Sequence, residues 1–170
     1  MEDIIIQGLL YMLPALVTGG VAFYIFKRLL IENRGDKKIA LLNKNKSDAL
    51  HMKLQAYERI LLFCERINPI KLLLRVKPIG NKTNSYLQLL IGNIEQEFEH
   101  NMVQQIYISD QCWNVIITSK TAVINKLKQV SENSDSANDF RENVLLQYSK
   151  IAPPTDTAIT FIKHEVKKLL

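Results

Sequence analysis

The sequence predicts an all-α protein, in which an N-terminal transmembrane helix is followed by a cytoplasmic helical bundle of about four main helices. Two observations lead to this fold class. Residues 4–26 carry no charged side chain, whereas the remainder repeats apolar residues at spacings of three and four. That spacing is typical of amphipathic helices. No alternating apolar and polar run of useful length is present, so no sheet is expected.

The uncharged segment, residues 4–26, is predicted to cross a membrane. At about 1.5 Å per residue the helix would be roughly 35 Å long, against a hydrocarbon core of about 30 Å. A cleaved signal peptide is disfavoured because acidic Glu2 and Asp3 precede the segment and bulky Phe23 and Tyr24 stand near its end. A buried core helix usually has a shorter apolar run. We therefore expect a retained transmembrane helix.

Basic residues set the expected orientation of this helix. No Lys or Arg precedes it, whereas seven follow within about 20 residues. The positive-inside rule then predicts a single-pass protein of the cell inner membrane, with its N-terminus outside and its C-terminus in the cytoplasm. Residues 27–46 form a basic juxtamembrane stalk, expected to contact anionic lipids of the inner leaflet. The helix either continues through the stalk or is interrupted near Arg34 and Gly35.

Small residues in the predicted span suggest a face for homo-oligomerisation. Ala15 and Gly19 are four residues apart, a spacing that lets two membrane helices approach closely. The alternative is that Gly and Pro are simply common in membrane helices.

The remaining residues, 47–170, are predicted to form the cytoplasmic bundle. Ser47 is expected to cap the first helix, which Asn68 and Pro69 end, and Pro69 begins a short helix. Residues 75–78 should be extended, because Pro78 disfavours helix at the residue before it. Composition permits one domain of ordinary size.

Three further helices follow in the prediction. The first begins at Thr83 or Asn84 and reaches Ile106 or Tyr107, and Ser109 with Asp110 caps the second. The polar residues 131–135 form a loop. A capping box of Ser136 and Asp139 then starts a helix that ends before residues 153–154. The last helix starts at residues 155–156, with lysines near its end.

Several kinds of chemistry are not indicated. Glycine-rich phosphate-binding loops are absent. Cys64 and Cys112 lie among apolar residues and are expected to be buried thiols. The basic excess is next to the predicted membrane helix and lacks interleaved aromatic residues, so nucleic acid is not an expected partner.

A metal site is the alternative that the sequence leaves open. Glu97 and His100 have the i, i+3 spacing of ligands on one helical face, and Asp48 and His51 repeat it. Di-iron bundles use two Glu-x-x-His pairs and two further Glu residues. Here the second pair begins with Asp, and the helix after Asp110 has no carboxylate in its middle. The sequence therefore predicts no cofactor and no catalytic residue.

A polar stretch around residues 95–105 is either an exposed flank or a recognition face for an unidentified protein partner. Tryptophan is also favoured at interfaces. The candidate interaction face comprises Gln96, Glu97, His100, Gln104, Gln105 and Trp113.

Short motifs across the chain resemble those of a family of small, single-pass, uncharacterised membrane proteins from Bacteroidota. They are LQAYER from residue 54, RINP from residue 66, RVKP from residue 75, EQEFEHN from residue 95, QQIYIS from residue 104 and CW from residue 112. The resemblance covers most of the chain. It implies a membrane-anchored helical domain and supplies no catalytic residues.

These observations together predict a membrane-anchored cytoplasmic domain that acts as a non-enzymatic interaction or scaffold module. The alternative is a metal-binding helical bundle or an enzyme that uses Glu97 and His100.

Overall fold

The computed structural model describes the backbone of residues 2–170 and the side chains of residues 12, 14, 16–29 and 41–170. Within these residues the chain is helical and contains no β-strand. The helices are α1 (Glu2–Ile67), α2 (Pro69–Arg75), α3 (Thr83–Asn101), a 3-10 helix (Met102–Ile106), α4 (Asp110–Ser131), α5 (Ala137–Tyr148) and α6 (Pro154–Leu169). The chain divides into two compact units, residues 1–49 and 50–170.

The first unit contains the predicted span and the whole of the predicted stalk. Its described large apolar side chains are exposed; Leu16, Phe23 and Phe26 are each more than 60% exposed. Thr18 Oγ1 donates a hydrogen bond of 2.9 Å to the carbonyl oxygen of Pro14. Much of the predicted span, including Ala15 of the proposed small-residue face, has side chains outside the described set.

In the described part of the chain, no helix has an apolar stretch long enough to cross a bilayer. The side chains of residues 4–11, where the predicted span begins, lie outside the described residues. The transmembrane helix therefore stays a prediction.

The predicted start of a new helix at Ser47 is wrong. α1 runs without a break through the stalk and through Ser47 to Ile67. Residues 44–50 contain no Gly or Pro. Backbone donors there can therefore bond to carbonyl groups one turn earlier, and no cap is needed.

The three helix starts in the second unit that carry a side-chain cap agree with the prediction. Asn68 Oδ1 accepts from the N–H of Ile70 at 3.1 Å, and Ser109 Oγ accepts from the N–H of Cys112 at 3.0 Å. Ser136 Oγ accepts from the N–H of Asp139 at 3.1 Å. The Asp139 carboxylate instead reaches the N–H of residue 135, one residue earlier than in a standard capping box.

The predicted extension of α3 to residue 106 or 107 is also corrected. α3 ends at Asn101, and a 3-10 helix of five residues follows. The side chain of Asn101 donates to the carbonyl oxygen of Glu97 at 2.8 Å. Beyond it, Met102 and Ile106 are 41% and 72% exposed, so packing against the core does not hold this segment in α-helical form.

The core of the second unit joins residues from α1 to α6 in one cluster. Phe63, Leu90, Ile116, Phe140 and Ile162 are each no more than 1% exposed. α4 packs most extensively against α6, and α3 contacts both α4 and α5. This single core confirms an all-helical bundle and positions the faces described below.

Tyr148 offers a test of this core. It is 7% exposed, and among the described residues its hydroxyl has no hydrogen-bond partner. Burial also raises the pKa of this phenol. A buried polar group without a partner costs about 1–3 kcal/mol. We therefore expect Tyr148→Phe to leave the free energy of unfolding unchanged or raise it by about 1 kcal/mol, measured by urea denaturation. A loss above about 1 kcal/mol would show that the hydroxyl has a partner.

Candidate functional site

Glu97, the first residue of the pair that the sequence leaves open as an alternative metal site, is held by two arginines. Nη1 of Arg66 donates to both Glu97 carboxylate oxygens at 3.0 Å. Nη1 of Arg75 lies 3.7 Å from Oε1 of the same carboxylate. The Glu97 side chain is 17% exposed, against 49% and 40% for the two arginines. This carboxylate therefore joins α3 to the end of α1 and to α2.

The other residues of the two acid–histidine pairs are exposed. His100 and Asp48 lie at the surface, as does His51, which is within 3.0 Å of the side-chain amide nitrogen of Gln55. Across the described side chains, no group of three or more His, Cys, Asp or Glu residues could hold a metal ion. The Glu97 and His100 pair has no third ligand of these types in that set.

The candidate interaction face is divided between the interior and the surface. The Trp113 ring stacks on Phe98 with centroids 5.5 Å apart, and Phe98 in turn contacts Phe63 at 5.9 Å. Gln96, His100 and Gln105 are exposed, whereas Gln104 is half-buried. Trp113 and Glu97 thus hold helices together, and three of the six residues are open to a partner.

Lys120 reinforces the same contact between α3 and α4. Its Nζ lies 4.1 Å from the centroid of the Phe98 ring and donates to Glu95 at 2.7 Å. A cation over an aromatic face contributes about 0.5–1 kcal/mol at exposed sites and more when shielded from water. The Phe98 ring is therefore packed by aromatic rings and by a cation.

A polar cluster that sequence reasoning missed lies around Glu165. Tyr57 Oη donates to one carboxylate oxygen at 2.7 Å, and Ser109 Oγ donates to the other at 2.6 Å. The same Ser109 oxygen caps α4. Burial, followed by the bond to Glu165, raises the pKa of Tyr57 well above its usual range. We call these three residues the Glu165 cluster; it joins α1, α4 and α6.

One signal in the sequence could have identified Glu165. The apolar face predicted for the last helix includes Ile162, Val166 and Leu169. Glu165 lies three residues after the first of these and four before the last, so it is on the same helical face. An acid at such a position needs a partner when it is shielded from water.

Beside the Glu165 cluster, α1 and α6 border a cavity of about 410 Å³ that is open to solvent. We call it the α1/α6 groove. Its lining is mostly apolar and comes from two helical segments: Leu54, Tyr57, Glu58 and Leu61 of α1, and Ile162, Lys163, Val166 and Lys167 of α6.

A second cavity, of about 340 Å³, shares Tyr57 with the α1/α6 groove. Ile106 and Tyr107 border it together with Lys53 and Lys168. Nearby on the 3-10 helix, Val103 is 61% exposed and Ile106 is 72% exposed. This part of the bundle therefore combines apolar surface with lysines.

Cys64 and Cys112 are free thiols in the core, as predicted. Burial raises the pKa of each to about 12 from an ordinary value of 9.0. The folded state then keeps protons that the unfolded chain loses above about pH 9, so stability is complete below that pH and is lost between about pH 9 and 12. Under reducing conditions we expect each thiol to lower the free energy of unfolding by about 1 kcal/mol at pH 10 relative to pH 8.

Urea denaturation at these two pH values checks this expectation. Cys112→Ala should lose less stability than the wild type between pH 8 and pH 10. An equal loss of stability in both proteins between pH 8 and pH 10 would contradict the raised pKa of Cys112.

Comparison with known proteins gives one family. The model of a "Family of unknown function (DUF7935)" matches residues 3–169. No curated protein and no solved structure shows significant similarity to the chain.

Proposed function

We propose that this chain, which belongs to the DUF7935 family, is a membrane-tethered helical module that binds a protein partner. Residues 4–26 serve as the tether, and residues 27–46 as a basic stalk at the cytoplasmic leaflet of a bacterial inner membrane. The second unit, residues 50–170, presents the binding surface. The match to a family of unknown function is consistent with the resemblance noted above and adds no activity.

The exposed apolar side chains of the first unit are the observation that carries the tether. Between residues 16 and 29, large apolar side chains are 52–72% exposed. They are Leu16, Val17, Val21, Phe23, Tyr24, Ile25, Phe26 and Leu29. Apolar surface of this extent is unfavourable in water, at roughly 25 cal/mol per Å², and marks a membrane or protein contact.

Charge supports a membrane as that contact. Lys27 and Arg28 directly follow the apolar segment, and Lys44 and Lys46 are exposed further along the same helix. Lysines beside an anionic leaflet each contribute about 1 kcal/mol to membrane binding. A protein contact alone would not require the basic residues to follow the apolar segment on one side.

The binding role of the second unit rests on its surface. The α1/α6 groove and the exposed apolar residues of the 3-10 helix lie on a bundle whose core is already complete. Apolar surface that a complete core leaves uncovered is typical of interaction sites. The polar residues Gln96, His100 and Gln105 are a further exposed area for contact.

Membrane fractionation tests the tether. We expect the full chain to stay with membranes after carbonate washing and a reporter at Leu170 to be active only in the cytoplasm. Val17→Glu combined with Val21→Glu should move the chain into the soluble fraction, because each charge at the centre of a span costs about 2.5–3.5 kcal/mol.

A matched control uses two exposed apolar residues of the second unit. Leu146→Glu with Ile151→Glu adds the same charge and should leave the chain in the membrane fraction. A wild-type chain found in the soluble fraction would overturn the proposed tether.

A further inference from the structure

We infer that the α1/α6 groove is the docking site for an amphipathic helix of a partner protein, and that this helix carries acidic residues on the side facing α6. The inference rests on the proposed function and names the class of partner that the second unit binds.

The shape of the groove fits a helix. Its α1 side is formed by residues 54, 57, 58 and 61, and its α6 side by residues 162, 163, 166 and 167. These are the i, i+3 and i+4 rows that form ridges on a helix surface, and a third helix packs its own side chains between two such ridges. Leu54 and Leu61 are two turns apart, about 10 Å along the axis.

The depth of the groove favours a helix over a flat lipid surface. Tyr57 and Ile162, at its base, are only 5% and 1% exposed. Leu54, Leu61 and Val166 border it and are half-buried. Apolar side chains that project from a docked helix can reach between these residues, whereas a bilayer surface would contact only the most exposed atoms.

The charges around the groove indicate which charge the partner helix carries beside its apolar face. Lys163 and Lys167 are exposed and four residues apart on α6. None of the ion pairs formed by described side chains includes either lysine. Like charges at this spacing slightly destabilise a helix, and an acidic partner would remove that repulsion. Glu58 is the one acid that lines the groove.

Charge also argues against a second copy as the occupant. The chain carries a formal net charge of +5. A second copy would therefore bring, on average, more positive charge to a groove that lysines already border. Complementary charge across an interface raises the association rate and excludes partners of the wrong sign.

The experiment uses the full chain in phosphatidylcholine nanodiscs and two fluorescent peptides of three heptads each. Both peptides have the same leucine face, and their flanking positions carry Glu in one and Lys in the other. Fluorescence anisotropy should show that the Glu-flanked peptide binds about tenfold more tightly, as expected for two ion pairs at the rim of the groove.

Two variants locate the binding. In the double variant Lys163→Glu with Lys167→Glu, the Lys-flanked peptide should bind more tightly than the Glu-flanked peptide. Val166→Asp should weaken binding of the Glu-flanked peptide by about tenfold or more, because the new carboxylate is desolvated on binding. The matched control, Lys126→Glu with Lys128→Glu on α4, makes the same charge change away from the groove and should keep the wild-type order.

Other occupants give distinct results, each of which would overturn the inference. Equal binding of the two peptides, or the same change in the control, would show that the groove does not select an acidic helix. Self-association lost only in the Lys163 and Lys167 variant would identify a second copy. With the tether held in a nanodisc, binding of the second unit to added phosphatidylglycerol vesicles that is lost in that variant, without peptide binding by the wild type, would identify a lipid surface. Because membrane fractionation does not depend on these lysines, failure here leaves the tether unaffected.

Discussion

Replacing Phe98 with alanine is expected to lower the free energy of unfolding of the second unit by about 3 kcal/mol. The ring stacks on Trp113, contacts Phe63 and lies beneath the Lys120 ammonium. Truncation of a packed Phe usually costs 3–5 kcal/mol, and the half-burial of Phe98 favours the lower end of that range. Urea denaturation followed by the fluorescence of Trp113, the single tryptophan, measures the change.

A second substitution separates volume from ring-specific contacts. Phe98→Leu keeps most of the apolar volume and removes the stacking and the cation contact, so we expect a loss of about 1–1.5 kcal/mol. Leu146→Ala, at a residue that is 61% exposed, serves as the control and should change stability by less than about 0.5 kcal/mol. Similar values for Phe98→Ala and the control would contradict the packing described.

Replacing Glu165 with alanine is expected to cost about 2–3 kcal/mol. The change removes the acceptor of two hydroxyl donors, Tyr57 and Ser109. Hydrogen bonds to charged groups are each worth about 1.5–3 kcal/mol, and partial exposure of the cluster reduces their sum. Glu165→Gln keeps an acceptor oxygen, so its loss should be smaller, at about 1 kcal/mol.

A double-mutant cycle tests whether the cluster acts through these hydrogen bonds. Tyr57→Phe should cost about 1 kcal/mol more in the wild type than in the Glu165→Ala background, because the hydroxyl has lost its acceptor in the latter. Additive effects of the two changes would show that Tyr57 and Glu165 stabilise the fold independently. The neighbouring exposed residue His164 gives a control, since His164→Ala should have little effect.

Local signals in the sequence predict most of the helices of the second unit. Asn68, Ser109 and Ser136 each have a short side chain that can accept a backbone hydrogen bond, and each does so at the predicted helix start. Pro69, in the first position of α2, needs no backbone partner. Such signals depend only on neighbours in the chain and can therefore be identified without a structure.

The two wrong helix boundaries, at Ser47 and at the end of α3, depend on the surroundings of these residues, which a local sequence pattern does not contain. Ser47 has the composition of a cap, yet no residue before it breaks α1, so its side chain lies on a continuous helix. α3 ends at Asn101, earlier than periodicity suggests, because Met102 and Ile106 beyond it are exposed and lack packing against the core. Both outcomes depend on the surroundings of a residue, along the chain or in the packed bundle.

The candidate site was harder to predict than the fold. Spacing along the sequence correctly places Glu97 and His100 on one side of a helix. It does not show that Glu97 pairs with Arg66 and Arg75, which lie on other helices. The Glu165 cluster likewise unites residues that are distant in the sequence. Contacts of this kind follow from tertiary packing, which the spacing of residues within one sequence does not reveal.

The hydrogen bond between Tyr57 and Glu165 joins residues that are 108 positions apart in the chain. Contacts over such a separation slow folding, because a long loop must close before they form. During synthesis, the apolar side of α1 that α6 covers stays open to solvent until α6 has emerged from the ribosome. The nascent chain should therefore depend on chaperones during this interval, and ribosome profiling of chaperone-bound chains should show binding that ends once α6 is available.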